Sequence, residues 1–274
     1  MAVDTSYQTR VAQFNAVGSA DPGDVRTWSR IGRLAGYIGG AAFLVGTLLF
    51  LADATDILAS SPKFQATAEG FLQDEATYFA AFFAHQHQIL WDIALRDGLF
   101  PLAYLALVVL ALAVWSLVET RRADARLMVL FLLVGGIWAS LDALTYLANL
   151  SYWATPGWLP RPAAAMVAVG RASEAISNET QYFQVAGFVA LGVGLLCLGH
   201  LCRTWRDLPS RLGLLADVEA VALLGAALAA VLSADVAYNI LSLVVGVVLA
   251  PVVTIWLGTS IARHRPHPAD PNDL

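Results

Sequence analysis

The sequence predicts an all-α fold, a six-transmembrane-helix bundle with one or two amphipathic helices on its outer face. Three observations predict it. Of 274 residues, 58% are hydrophobic and only 14% charged, whereas a soluble domain carries roughly a quarter charged residues. The mean hydropathy is +0.64. The apolar residues also come in long uncharged runs, too many for one soluble core and too long and unalternating for barrel strands.

The elements follow in order. Residues 1–30 are polar, with Pro22, Gly23 and several charges, and read as a disordered cytoplasmic arm that is not a cleaved signal. The membrane domain is expected over residues 31–262 and a cytoplasmic tail over 263–274. The first span is Leu34–Leu51, 18 residues without a charge, and the second is Leu99–Val118 with 20. Leu127–Leu150 is interrupted only by Asp142. Thr180–Cys202 has 23 residues, the fifth span covers about Leu212–Ala234, and Val236–Ala262 has 27. A helix rising about 1.5 Å per residue needs roughly 20 residues to cross a 30 Å core.

Two connections are too long to be turns. In residues 52–98, the segment Ala66–Arg96 reads as a cap helix. Tyr78, Phe82, His85, Ile89, Asp92 and Arg96 recur along one of its faces. Asp97-Gly98 with Pro101 is expected to break that helix before the second span. In residues 151–179, Pro156, Pro160 and Pro162 exclude helix until about Ala163, and a short amphipathic helix then runs to about Ile176.

Basic residues orient the bundle. Twelve of the 16 lie on one side, in the arm, the second and fourth connections and the tail, among them Arg30, Arg33, Arg121, Arg122, Arg206 and Arg263. Lys63, Arg96, Arg161 and Arg171 fall on the other. Both termini are therefore expected in the cytoplasm, and the shortage of lysine points to a bacterial cytoplasmic membrane. The outer side carries eleven acidic residues, including Asp53, Asp92 and Glu179, against those four basic ones. Solvated loops and the positive-inside rule account for this asymmetry; the sharper reading is a vestibule that attracts cations or basic partners. The net charge of −5 leaves no basic face for nucleic acid.

Three pieces together resemble a family. They are Arg30-Ile-Gly-Arg-Leu-Ala-Gly36 leading into span one, Leu208-Pro-Ser-Arg-Leu-Gly213 between spans four and five, and Ile255-Trp-Leu-Gly258 in span six. The pattern is similar to a family of uncharacterised bacterial six-helix membrane proteins, known as a domain of unknown function. The resemblance implies the topology over about residues 30–262 and no activity. The outer helix with two histidines departs from it.

The candidate site residues are Asp142, His85, His87, Asp92 and Glu179. Asp142 lies 16 positions after Arg126, about 24 Å along the helix, in the outer leaflet. A carboxylate there needs a partner, water or a proton. It marks either a site facing the bundle interior or a structural bond to Tyr146. Alternate residues on a helix point apart, so His85 and His87 cannot share one metal; His85 with Asp92 and Asp142 is the set that could. Asp217 and Glu219 sit at the start of span five, where a helix N-terminus favours negative charge, and no charge is expected at mid-depth. Gly36, Gly40, Gly135 and Gly192 are close-packing points. Pro251 beside Gly246 predicts a kink.

No P-loop, dinucleotide fingerprint, G-x-S-x-G or H-E-x-x-H occurs, and no cofactor is assigned. The reading that fits best is a binding or accessory protein with an outward acidic pocket for a lipid-like ligand or cation, alone or within a larger membrane complex. The alternatives are a membrane-embedded enzyme using Asp142, Glu179 and His85 on an apolar substrate, and a small transporter or channel.

Overall fold

The structure, a computed structural model, describes residues 22–58, 60–65, 70–118, 123–154, 162–205 and 207–263. Among the described residues it is helical with no strand. In chain order the helices are α1 (Pro22–Ala54), α2 (Phe71–Gln88), α3 (Leu90–Leu117), α4 (Ala123–Ala154), α5 (Ala163–Thr204), α6 (Ser210–Val231), α7 (Asp235–Val244) and α8 (Ala250–Arg263). A π-helical turn, Val245–Leu249, joins α7 to α8. Six helices are long and apolar enough to cross a membrane: α1, α3, α4, α5, α6 and the continuous α7–α8. The bundle is the expected all-α six-helix fold.

Neighbouring spans run antiparallel and meet through small residues. Along α1 and α8, Gly32 faces Ile261, Gly36 faces Gly258, and Gly40 faces Ile255 and the Pro251 carbonyl. Along α4 and α5, Leu132 faces Gly194, Gly135 faces Leu191, and Ala139 faces Gly187. Gly199 and Gly213 bring α5 and α6 together. Lipid is as apolar as leucine, so helices gain little by hiding leucine from it. Close backbone approach is what holds them. One core runs through the bundle, from Ala35 and Phe43 to Leu198, Leu223 and Leu257.

Four features differ from expectation. α1 begins at Pro22, inside the stretch expected to be a disordered arm. Proline suits the first helical turn, and Trp28 already packs on the bundle core. The cap does not run to Arg96. It breaks at Ile89 (φ −103°, ψ 20°), and α3 then continues through Gly98 and Pro101. Ile89 is buried beside Phe83 and Ile93, so the break is held by packing. The outer segment from Ala163 and the fourth span are one 42-residue helix. Nothing from Ala175 to Thr180 is a helix breaker, and at about 1.5 Å per residue roughly half of α5 stands beyond a 30 Å core. Finally, the bend expected at Pro251 is a π-helical turn just before it, Val245–Leu249. Proline cannot donate to the preceding turn, and a wider turn accommodates the unmatched carbonyls.

The projecting half of α5 carries the cap. The Phe79 ring of α2 lies against Gly170, where a Cβ would sit only 2.2 Å from it. Ala76, Phe83, Ile93, Met166 and Val167 complete a second, smaller core. Arg171 Nε and Nη2 donate to the two Glu75 oxygens at 2.7 and 2.9 Å.

Candidate functional site

Two linked features lie where the cap meets the bundle. The first is a buried charge cluster. Arg96, two turns into α3 after the Ile89 break, donates from Nη1 to Asp53 Oδ2 at 3.0 Å and from Nε to Asp97 Oδ1 at 3.1 Å. The same Nη1 is 3.8 Å from Asp92 Oδ2. His85 Nε2 approaches Asp53 Oδ1 at 3.5 Å. Asp92 is fully buried and neither of its oxygens has a hydrogen-bond partner. The Arg96 guanidinium also lies 5.8 Å over the Phe50 ring, a cation–π arrangement. One guanidinium therefore serves three carboxylates, and it closes the end of α1 against α3.

Beneath that cluster lies the second feature, a cavity of about 370 Å³ with walls from all six spans. Arg96 and Asp97 form its roof. Phe43, Phe50, Phe100, Tyr104, Phe188 and Tyr238 give it aromatic sides, and Gln181, Gln184, Asn239 and Ser242 give it a polar stripe. Tyr238 donates to Gln184 Oε1 at 3.0 Å, so α7 is tied to α5 across one wall. The π-helical turn supplies Val245 and Gly246. Gly246 admits the Thr47 hydroxyl, which a Cβ would meet at 2.3 Å.

Glu219 lines the same cavity and is 4% exposed. It lies nine positions after Ser210, about 13.5 Å along α6. It is level with Tyr104 on α3 and Leu195 on α5, near the middle of the bundle. Its Oε2 has no hydrogen-bond partner, and the same holds for Thr47 Oγ1 and Ser242 Oγ on the same cavity. Buried polar atoms are nearly always paired, so three such atoms on one cavity call for an explanation.

A second cavity, about 450 Å³, lies under the cap between α2, α4 and α5. Tyr146 and Ser177 line both cavities, and their hydroxyls are 3.4 Å apart. This pair is the partition between an outer vestibule and the inner cavity.

The sequence-predicted residues fall into three groups. His85 and Asp92 are brought together around Asp53, although the helix expected to carry both is two helices. His87 and Glu179 are exposed. Asp142 belongs to α4, whose Ala139, Ala143 and Tyr146 line the cavity; its side chain lies outside the described residues. Among the described residues no group of three or more His, Cys, Asp or Glu could hold a metal ion.

Glu219 is the residue the sequence reading misplaced. Assigned to the start of a span, it stands at mid-depth, because α6 starts at Ser210 directly after Pro209 and ends by Val231. The depth count that located Asp142 finds Glu219 too, once the helix is started at the proline. Asp217, two residues before Glu219 on α6, is paired with Arg203 of α5. Arg96 was read as one position along a face of the cap helix, and it is the buried centre of the charge cluster. No protein-family model, curated protein or solved structure matches the chain.

Proposed function

We propose that this chain is a membrane-embedded binding protein whose inner cavity holds a small amphipathic, lipid-like molecule or cation. It sits in a bacterial cytoplasmic membrane with the cap outward and both termini in the cytoplasm. The observation that carries this reading is the cavity with its three unpartnered polar atoms, Thr47 Oγ1, Ser242 Oγ and Glu219 Oε2. Its volume is in the range of small-molecule sites, and its lining is mainly apolar with a few convergent polar groups, as such sites are. The 12-to-4 division of basic residues supports the orientation. The Tyr146–Ser177 partition supports entry from beneath the cap. A transporter of the same ligand is the second reading. The mid-depth carboxylate and the π-helical turn beside it favour that reading, because both are features of elements that change state. The enzyme alternative is less supported, because Glu179 is exposed and does not line the inner cavity.

The test is to fill the cavity. Ser242→Phe places a ring in the space without removing a bonded polar group. Native mass spectrometry of protein released gently from membranes should show a small-molecule adduct on the wild type. The adduct should be absent from Ser242→Phe at unchanged fold. Identical bare masses for both proteins would overturn the binding reading.

A further inference from the structure

We propose that the inner cavity is a site for a lipophilic organic cation, whose ammonium sits on the Glu219 carboxylate in competition with a proton; this deepens the binding reading and rests on it. The argument begins with charge. The roof already has its cation, and Arg96 is taken up by Asp53, Asp92 and Asp97. Glu219 makes no ion pair among the described residues, is 4% exposed, and keeps one oxygen unpartnered. A charged carboxylate there is costly unless a positive charge or a proton comes to it. The lining offers no further basic side chain among the described residues. The positive charge must therefore come from a ligand.

The walls say what kind. Phe43 meets Tyr104 edge-on at 5.3 Å between centroids, and Phe188 stacks on Tyr238 at 6.4 Å. Ring faces attract a weakly hydrated ammonium, and a carboxylate supplies the counter-charge. A bare metal ion would want several charged oxygen ligands, whereas Asp97 is held by Arg96, Glu219 is the other lining carboxylate, and the remaining polar lining is neutral amide and hydroxyl. A strongly hydrated inorganic cation fits this lining poorly, and an alkylated or aromatic ammonium fits it well.

The competing proton is as specific. Tyr104 of α3 lies within electrostatic reach of both Glu219 and Tyr238 of α7. Tyrosine is neutral up to about pH 10. Arg96 and Asp97 at the roof hold one another, and Asp217, two residues back on α6, is held by Arg203 of α5. Among the described lining residues, α1 and α8 bring no titratable group, α5 brings none, and α4 brings only Tyr146. Glu219 is thus the group whose proton a cation displaces. Below the titration of Glu219, affinity for the cation falls about tenfold per pH unit and one proton is released per cation bound; above it, affinity is level.

The test uses benzyltrimethylammonium and its neutral carbon isostere neopentylbenzene, by equilibrium dialysis against the full-length protein in micelles with empty micelles as blank. The wild type should bind the cation more tightly than the isostere. Glu219→Gln should lose at least tenfold for the cation, bind the isostere unchanged, and show no pH slope. Retained isostere binding also establishes that the variant is folded. Proton release from the wild type on adding the cation, read with a pH dye in weak buffer, is independent of any variant. Equal cation binding by wild type and Glu219→Gln, or no proton release at any pH across the titration, overturns the proposal. If both proteins bind the isostere as well as the cation, the cation site fails and the cavity reading stands. If the wild type binds neither probe, both fail.

Discussion

Arg96 and Glu75 are two acid–base contacts of opposite character. At Arg96 the charges are buried and outnumbered, with one guanidinium for Asp53, Asp92 and Asp97. Taking such charges out of water costs several kcal/mol per ion, and good geometry only partly offsets it. This cluster is therefore a poor way to gain stability and a good way to fix where α1, α2 and α3 meet. Glu75 is different: its partner Arg171 is largely exposed, with a side chain 61% accessible. The two hydrogen bonds from Arg171 hold the Glu75 carboxyl below the usual glutamate range. A carboxyl with a depressed folded-state pKa contributes its stabilisation above the ordinary value. It loses that contribution as pH falls through the depressed one. The first turn of α2 should therefore loosen in acid, while the Phe79–Phe83 end, held by apolar packing, stays docked. A nitroxide at exposed Gln73 should become more mobile as pH drops from 7 to below about 4. One at exposed Ala84 should not change, and Glu75→Gln should make the Gln73 label mobile at every pH. A Gln73 spectrum that is constant across that range would remove the ion pair from any role in seating the cap.

The elements show why some of the fold was legible and some was not. Runs of apolar residues identify spans because lipid imposes one requirement on every residue of a run. They do not fix where a helix stops outside the lipid. α5 extends well before Thr180 and α1 starts at Pro22 because packing partners, Phe79 for Gly170 and the bundle core for Trp28, reach beyond the membrane. The break at Ile89 was equally hidden. Gly98 and Pro101 are the expected breakers by composition, yet both lie inside α3, and burial of Ile89 decides the matter. His85 and Asp92 were legible as neighbours, whereas Asp53 and Arg96 were not, since their meeting is a tertiary event. Glycine gives the test at this scale. A Cβ on Gly187 would lie 2.5 Å from the Ala139 backbone nitrogen, and neither helix can yield. Gly187→Ala should cost about 1–3 kcal/mol by overpacking. Gly98 has nothing within 4 Å of a built Cβ, so Gly98→Ala should gain about 0.5–1 kcal/mol of helix propensity. Thermal unfolding of the two variants in detergent should move in opposite directions. A parallel shift would mean that helix contact by small residues does not hold this bundle.

At the scale of the whole molecule, the start of α1, the α5–α6 connection and the end of α8 lie at one end of the bundle, and the cap with its two cavities lies at the other. Which end faces the cytoplasm is a question about insertion, and arginine answers it. Arg30, Arg33, Arg126, Arg203, Arg211 and Arg263 cluster at the end away from the cap. At the cap end, Arg96 and Arg171 are already committed to Asp53 and Glu75. Positive charge resists translocation, and the bias acts within about 15–20 residues of a span. The cap end should therefore be outside, so that the vestibule and the Tyr146–Ser177 partition open to the exterior. Single cysteines at four exposed positions test this, with Cys197 and Cys202 first replaced by alanine: Ser61 and Ala164 at the cap end, Ala123 and Ser210 at the other. A membrane-impermeant maleimide on intact cells should label Ser61→Cys and Ala164→Cys. It should reach Ala123→Cys and Ser210→Cys only after permeabilisation. Two sites per end guard against one that is merely unreactive, since a true inversion exchanges the pairs. Labelling of Ala123→Cys and Ser210→Cys in intact cells, with the other two silent, would invert the molecule. The cavity would then take its ligand from the cytoplasm.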